Sequence, residues 1–374
     1  MKRFIAAVAA CSLMALGPVA HASLDAGAGP GPGYFATDNV EWVTNVPLQN
    51  DTSGAELFGK YFYVTTSRGL TIYDISDNLN PQLLSFLPVP QEPTVPEEDV
   101  DTNGKILLIG TLGTLYVIDV EDKSNPTIIG QLDGADNHTI SCILGCTYAY
   151  GSEGVIVDLR DPTNPKLVGN WAKGTPSPSG GHDITEVAPG RIVTSTSPIM
   201  LLDARKDPVH PKVLALGPDT GGRYIHGNLW PEQMKDRYML VGGESGPPTC
   251  EGDDTGSFMT WDTKGWQKNH TFTLKDEYRV HQGLPTDGNA PVNQWCAHWF
   301  DTHPNYSNGG LVAMAYYDHG TRFLQIQPDG KIKEVGWFLP AAAQTSAAYW
   351  VTDRILYTVD YQRGFDILRW TGDI

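Results

Sequence analysis

Four histidines stand at the head of short apolar runs: His138 in NHTISCIL, His182 in GHDITEV, His226 in IHGNLW and His298 in AHWFD. Imidazole is a good ligand for copper, iron and zinc, and a set of imidazoles with an open position suits redox or Lewis-acid chemistry. If the four run heads converge in space, they form a candidate transition-metal site, for copper or iron before zinc. Glu98, in the acidic run Glu97-Glu98-Asp99, is the candidate general base, or the group that orients a ligand imidazole. A second reading needs no metal. A His-Asp or His-Gly pair at the start of a strand can serve only to bond a neighbouring strand's backbone, and His182-Asp183 and His226-Gly227 have that form. His303 and His319 flank a Gly-rich hairpin and His281 lies in the loop before it, so all three are expected at the surface or in turns. His210 and His270 fall on turns and are assigned no role.

Residues so far apart in the chain can meet only if repetition brings them together. Gly154 to Trp171 reads GVIVDLRDPTNPKLVGNW: a β-branched strand, an Asp at its end, an Asn-Pro turn and a second short strand. The same pattern returns as GLTIYDISDNLNPQLLSFL from Gly69, TLYVIDVEDKSNPTIIGQL from Thr114 and PIMLLDARKDPVHPKVLAL from Pro198. Its strand-end aspartates, Asp74, Asp119, Asp158 and Asp203, recur at roughly 40–45 residues, the period of a propeller blade with several short strands per unit. The 40 glycines and 27 prolines fit short strands joined by tight turns. Seven units can be traced, and the last lacks an outer strand. Val40–Val46 alternates like a strand and belongs to no unit, so pairing it with the last unit would close the ring and hide an exposed edge. The expected fold is all-β: a seven-bladed β-propeller over residues 38–374, closed by an N-terminal strand, with 23–37 as a Gly/Pro-rich flexible lead-in. In such a ring the first strand of each blade lines the axis, and the four histidines would come from blades three to six.

The phrases GLTIYDIS, TLYVIDVE and GVIVDLRDPTNPKLVG resemble the LVIVD repeat, a bacterial exported β-propeller repeat. The resemblance is good over Leu57 to about Leu216 and looser from Tyr224 onward, where the aspartate gives way to Gln327 and Arg369. It implies a propeller outside the cytoplasm and supplies no activity. In arrangement, though not in sequence, a His-lined channel is similar to carotenoid-cleaving oxygenases, which hold iron with four channel histidines. It is also similar to selenium-binding protein-type methanethiol oxidases, which are copper-dependent propellers.

The chain opens with MKRFIAAVAACSLMALGPVAHA: two basic residues, an apolar run and a small-x-small end. Residues 1–22 read as a secretory signal peptide cut after Ala22, and the mature protein is expected to be secreted or periplasmic. Losing Lys2 and Arg3 makes the formal charge of −17 two units more negative. Such a surface repels nucleic acid and anionic membranes, and no later apolar run approaches the length of a membrane span. A monomer is expected. Four cysteines remain after the signal, an even count that favours disulfides in an exported chain: Cys142 with Cys146, and Cys250 with Cys296. Gly151-Ser152-Glu153-Gly154 is a hairpin turn rather than a phosphate cradle, because no helix follows. Glu251, Asp253 and Asp254 lack the spacing of a calcium loop. The expected function is therefore an exported propeller that binds a metal or small molecule at a His-lined mouth and, if it turns over a substrate, a metal-dependent oxidoreductase. The alternative is a non-catalytic surface or periplasmic scaffold for a protein or glycan.

Overall fold

Each repeat folds as a four-stranded antiparallel meander. In blade one the strands Thr52–Phe58, Tyr61–Thr66, Gly69–Asp74 and Gln82–Pro88 pair in sequence order. The residues that make the repeat legible each do a local job. Gly69 opens the third strand with φ +144°, and a Cβ there would sit 2.1 Å from the Leu87 carbonyl oxygen of the outer strand. Asp74 ends that strand: its Oδ1 accepts the Ser76 N–H at 2.8 Å, an Asx turn that competes with further ladder bonding. Asp119, Asp158, Asp203 and Asp262 take the N–H two residues on in the same way. Val, Ile and Leu fill the two middle strands because a neighbouring blade covers each face, so these strands read as apolar runs rather than alternating ones.

The computed structural model describes residues 34–48, 52–90, 100–111, 113–135, 138–218, 220, 223–244, 256–280, 297–341 and 343–374. Among them stand seven such sheets, as expected. Their inner strands are Thr52–Phe58, Val100–Thr102, Ile140–Ile143, Ile184–Ala188, Ile225–Leu229, Phe300–Thr302 and Thr345–Trp350. Seven apolar clusters fill the spaces between neighbouring blades, including one in which Phe62 and Val64 of blade one pack with Tyr357 and Phe365 of blade seven. That cluster closes the ring. The closure comes about as anticipated: Val40–Val46 pairs antiparallel with Gly364–Trp370 as the outer strand of blade seven. Tyr34–Ala36, within the stretch expected to lead in without structure, pairs with Phe338–Pro340 and gives blade six a fifth strand. Cys142 and Cys146 bring their sulfurs to 1.91 Å across the turn of blade three. Cys250 and Cys296 lie outside the described residues, as do residues 1–33, Glu97-Glu98-Asp99, His281 and the loop with Glu251, Asp253 and Asp254.

Buried carboxyls tie inner strands to those of the next blade. Asp101 accepts the Cys142 N–H of the next blade at 2.7 Å, and Asp301 accepts that of Trp350 at 2.9 Å. Burial raises these acids above the usual carboxylate range to about 6, Asp360 likewise, and Asp183 to about 7, where the nearby Asp101 charge adds to the effect. A carboxyl whose folded pKa lies above its unfolded one holds its proton more tightly in the native state. Its stabilisation is fully present below about pH 4 and is lost as the pH rises through 6–7, at about 1.4 kcal/mol per pH unit for each proton retained. The urea midpoint is therefore expected to fall between pH 4.5 and pH 7.5, and Asp183→Asn to flatten that slope. A midpoint that climbs over this interval would contradict the assignment.

Candidate metal centre

Blades three to six deliver the four histidines to one side of the axis, each at or just before its inner strand. Consecutive ring centroids are 4.8 Å apart for His138–His182, 3.8 Å for His182–His226 and 4.2 Å for His226–His298. His182, His226 and His298 are buried and His138 is half-buried. Trp299, next to His298 in the chain, packs against the His226 ring at 4.6 Å. The four imidazoles thus form a row along the channel wall.

The backbone orients two of them. His182 Nδ1 lies 3.2 Å from the His226 carbonyl oxygen, and His298 Nδ1 lies 2.5 Å from that of Ser346, each on the following blade. A carbonyl only accepts, so Nδ1 donates, and in the neutral ring Nε2 carries the lone pair. This bond to a neighbouring blade is the structural role considered from sequence. It is also the bond that fixes tautomer and direction in metal-ligating histidines. The two roles coincide in these rings.

The residue that completes the group is Glu244, which sequence reasoning did not single out. It follows the strand Tyr238–Gly243, and its N–H bonds to the Tyr224 carbonyl at 3.1 Å. Tyr317 donates its hydroxyl to Glu244 Oε1 at 2.6 Å, and Glu244 Oε2 then stands 4.0 Å from His226 Nε2. His182, His226 and Glu244 are all buried, and one ligand atom from each lies within 4.8 Å of the others. Two donors on one metal, at bond lengths of roughly 2.0–2.2 Å, are separated by at most about 4.4 Å. The Glu244–His226 pair already satisfies that limit, and the widest pair needs to close by only about half an ångström, within reach of small side-chain rotations. Two imidazoles and a carboxylate are a donor set for iron, copper or zinc. His138 and His298 flank this trio rather than join it. Tyr361 stacks on Tyr317 at 5.8 Å, and its hydroxyl is 3.5 Å from His298 Nε2.

The sequence around Glu244, VGGE at the end of an apolar run, carries no signal that separates it from an ordinary strand-end carboxylate. Glu98, expected as the helper, lies outside the described residues. His303 and His319 stand at turns, as one half of the expectation had it, and both are buried rather than at the surface. His303 is fully committed: Nε2 donates to the Asp353 carbonyl at 2.8 Å and Nδ1 accepts the Asn305 N–H at 3.1 Å. His319 Nδ1 pairs with Asp318 at 3.0 Å. His210 and His270 are exposed and bond to Asp207 and to the Leu214 carbonyl.

Ring, blade order and axial donors together define a seven-bladed β-propeller with a His/Glu group that could hold a metal. It carries LVIVD repeats: residues 51–86, 98–133 and 148–172 match that family's model, and the fourth blade keeps the same shape beyond the matched segments. No curated protein matches the sequence. Solved structures share the fold at 10–13% identity. The WD40 β-propeller domain of Doa1 superposes with a TM-score of 0.60 at 10% identity, over 89% of this chain and 97% of that one. The RRP9 WD40 repeats give 0.58 at 10%, over 88% and 97%. A chain of the mitotic checkpoint complex gives 0.54 at 13%, over 99% of each. Among the described residues no helix is long and apolar enough to cross a membrane.

Proposed function

We propose that this protein is exported under the direction of residues 1–22 and holds a transition metal, iron or copper before zinc, at its axial mouth. His182, His226 and Glu244 are the ligands, with His298 and His138 flanking. The observation that carries this reading is the meeting of three buried donors from two neighbouring blades within 4.8 Å. Tyr317 supports it by turning one oxygen of Glu244 away and leaving the other toward His226.

Three protein ligands leave coordination positions for an exogenous molecule, and two histidines with one carboxylate are the donor set of oxygen-activating iron(II) centres. Metal-dependent oxidation of a small molecule is the reaction class that follows. The chain's own part is to hold the ligands, to fix imidazole tautomers through backbone carbonyls and to keep the site dry.

The test is metal content of mature protein purified without an affinity tag, followed by loading of the stripped protein with iron(II), copper(II) or zinc(II). Near-stoichiometric uptake of one of them is expected. A folded protein that retains none and takes up none would leave the scaffold reading standing. A Tyr317→Phe variant is expected to weaken metal binding about 10–100-fold, the usual cost of losing a group that orients a ligand, while folding normally. Competition with a chromophoric chelator measures it.

A further inference from the structure

A cavity of about 470 Å³ is lined by residues of blades one to six, none of them a member of the His182–His226–Glu244 group. Its charged lining is entirely acidic: Glu56, Asp101, Asp183 and Glu186, with no Lys, Arg or His among the described lining residues. Three of these carboxylates are pinned, Glu186 by the N–H groups of Leu144 at 2.9 Å and Gly190 at 2.7 Å. Asp101 holds the N–H groups of Thr102 and Cys142, each at 2.7 Å, and Asp183 holds the Ile184 N–H at 2.6 Å and the Thr185 hydroxyl at 2.9 Å. Once Asp101 and Asp183 have given up their protons, above about pH 7, the carboxylates around this space repel one another unless something positive stands between them.

An independent feature points the same way. Asn228 lines the cavity and is 6% exposed, and its side-chain oxygen has no hydrogen-bond partner. Its amide nitrogen is anchored to Ser195 Oγ on blade four at 2.9 Å, which leaves the oxygen as the acceptor this lining residue has to offer. A buried acceptor without a donor costs on the order of 1–3 kcal/mol. The cavity is therefore built to receive hydrogen-bond donors that carry positive charge.

Geometry separates the two kinds of cation. A hard metal ion needs several oxygens at roughly 2.0–2.6 Å. Among the described residues the group close enough to share one ion is His182–His226–Glu244, and none of the cavity carboxylates belongs to such a group. Spread carboxylates, a lone amide oxygen and the aromatic surface of Trp299 instead suit an extended molecule with several ammonium groups, which an indole also attracts. We propose that this cavity binds an aliphatic di- or polyamine through Glu56, Asp101, Asp183, Glu186 and Asn228. The proposal is independent of the metal centre.

The experiment is calorimetric titration of mature full-length protein with spermidine and putrescine at pH 8 and 0.15 M salt. Saturable binding at one site is expected, weakened at least tenfold by Asp101→Asn and by Glu56→Gln. Glu121→Gln removes the same charge from an exposed position and controls for attraction to the acidic surface as a whole. It should leave the affinity unchanged. Where Asp101→Asn does not fold, Glu56→Gln decides. Absence of saturable binding, or equal affinity in wild type and Glu56→Gln, would overturn the proposal.

Discussion

The His226→Ala variant is expected to lose at least about 100-fold in metal affinity, more than any other single substitution at the axial mouth. His226 sits in the middle of the row, between His182 at 3.8 Å and His298 at 4.2 Å, and faces Glu244. Removing a ligand costs more than removing a group that merely orients one, for which 10–100-fold is usual. Glu244→Gln keeps the shape of the side chain and removes its charge, so it should follow His226→Ala closely. His138→Ala and His298→Ala should cost less, because neither belongs to the compact trio. The ranking, read from chelator competition on proteins of matched thermal stability, separates three arrangements. Equal large losses for all four histidines would mean a four-imidazole shell and would remove Glu244 from the ligand set. No loss in any variant would mean that the rings serve only to join blades. A buried histidine cut to alanine also leaves a void, so His226→Gln is the companion variant with closer volume.

Much of this is legible in the sequence alone, and the reasons are local. The blade repeat shows because Gly69 and Asp74 each answer a backbone need that no other residue type meets as well: a positive φ beside a carbonyl, and an acceptor for the next turn's N–H. The histidine row shows because it occupies one phase of that period. Glu244 does not, because its value arises only when blade six packs beside blade five and brings Tyr317, 73 residues away in sequence, within 2.6 Å. For His303 and His319 the turn setting was legible and the burial was not: the turn after the blade-six inner strand tucks under blade seven, where His303 meets Asp353 and Trp350. Tyr34–Ala36 was hidden by its length and its Gly/Pro-rich approach, since three residues carry too little alternation to read. Local chemistry was legible, and contacts made across blades were not.

Ring closure itself is expected to fail most visibly at Gly364. This residue starts the third strand of blade seven with φ +84°, and a Cβ there would sit 2.2 Å from the Val46 carbonyl oxygen and 2.7 Å from the Leu48 N. Both atoms belong to the stretch that comes from the other end of the chain to complete the blade. Gly364→Ala therefore adds a backbone collision to the strain of an L residue at positive φ, which alone costs on the order of 1–3 kcal/mol. Gly59 isolates the strain: it has φ +63° with nothing within 4 Å of its would-be Cβ. Gly59→Ala should lower the melting temperature modestly and leave the protease pattern unchanged. Gly364→Ala should lower it further and release Val40–Val46 as the first site of cleavage, because that strand is held by a ladder to Gly364–Trp370 that must splay to make room. Once released, the strand uncovers an unpaired edge and part of the Trp370 and Leu368 cluster, so self-association should accompany the cleavage. Equal melting points and equal cleavage in the two variants would mean that the closing strand contributes little. The ring would then be held by the packing of blades one and seven around Phe62 and Phe365.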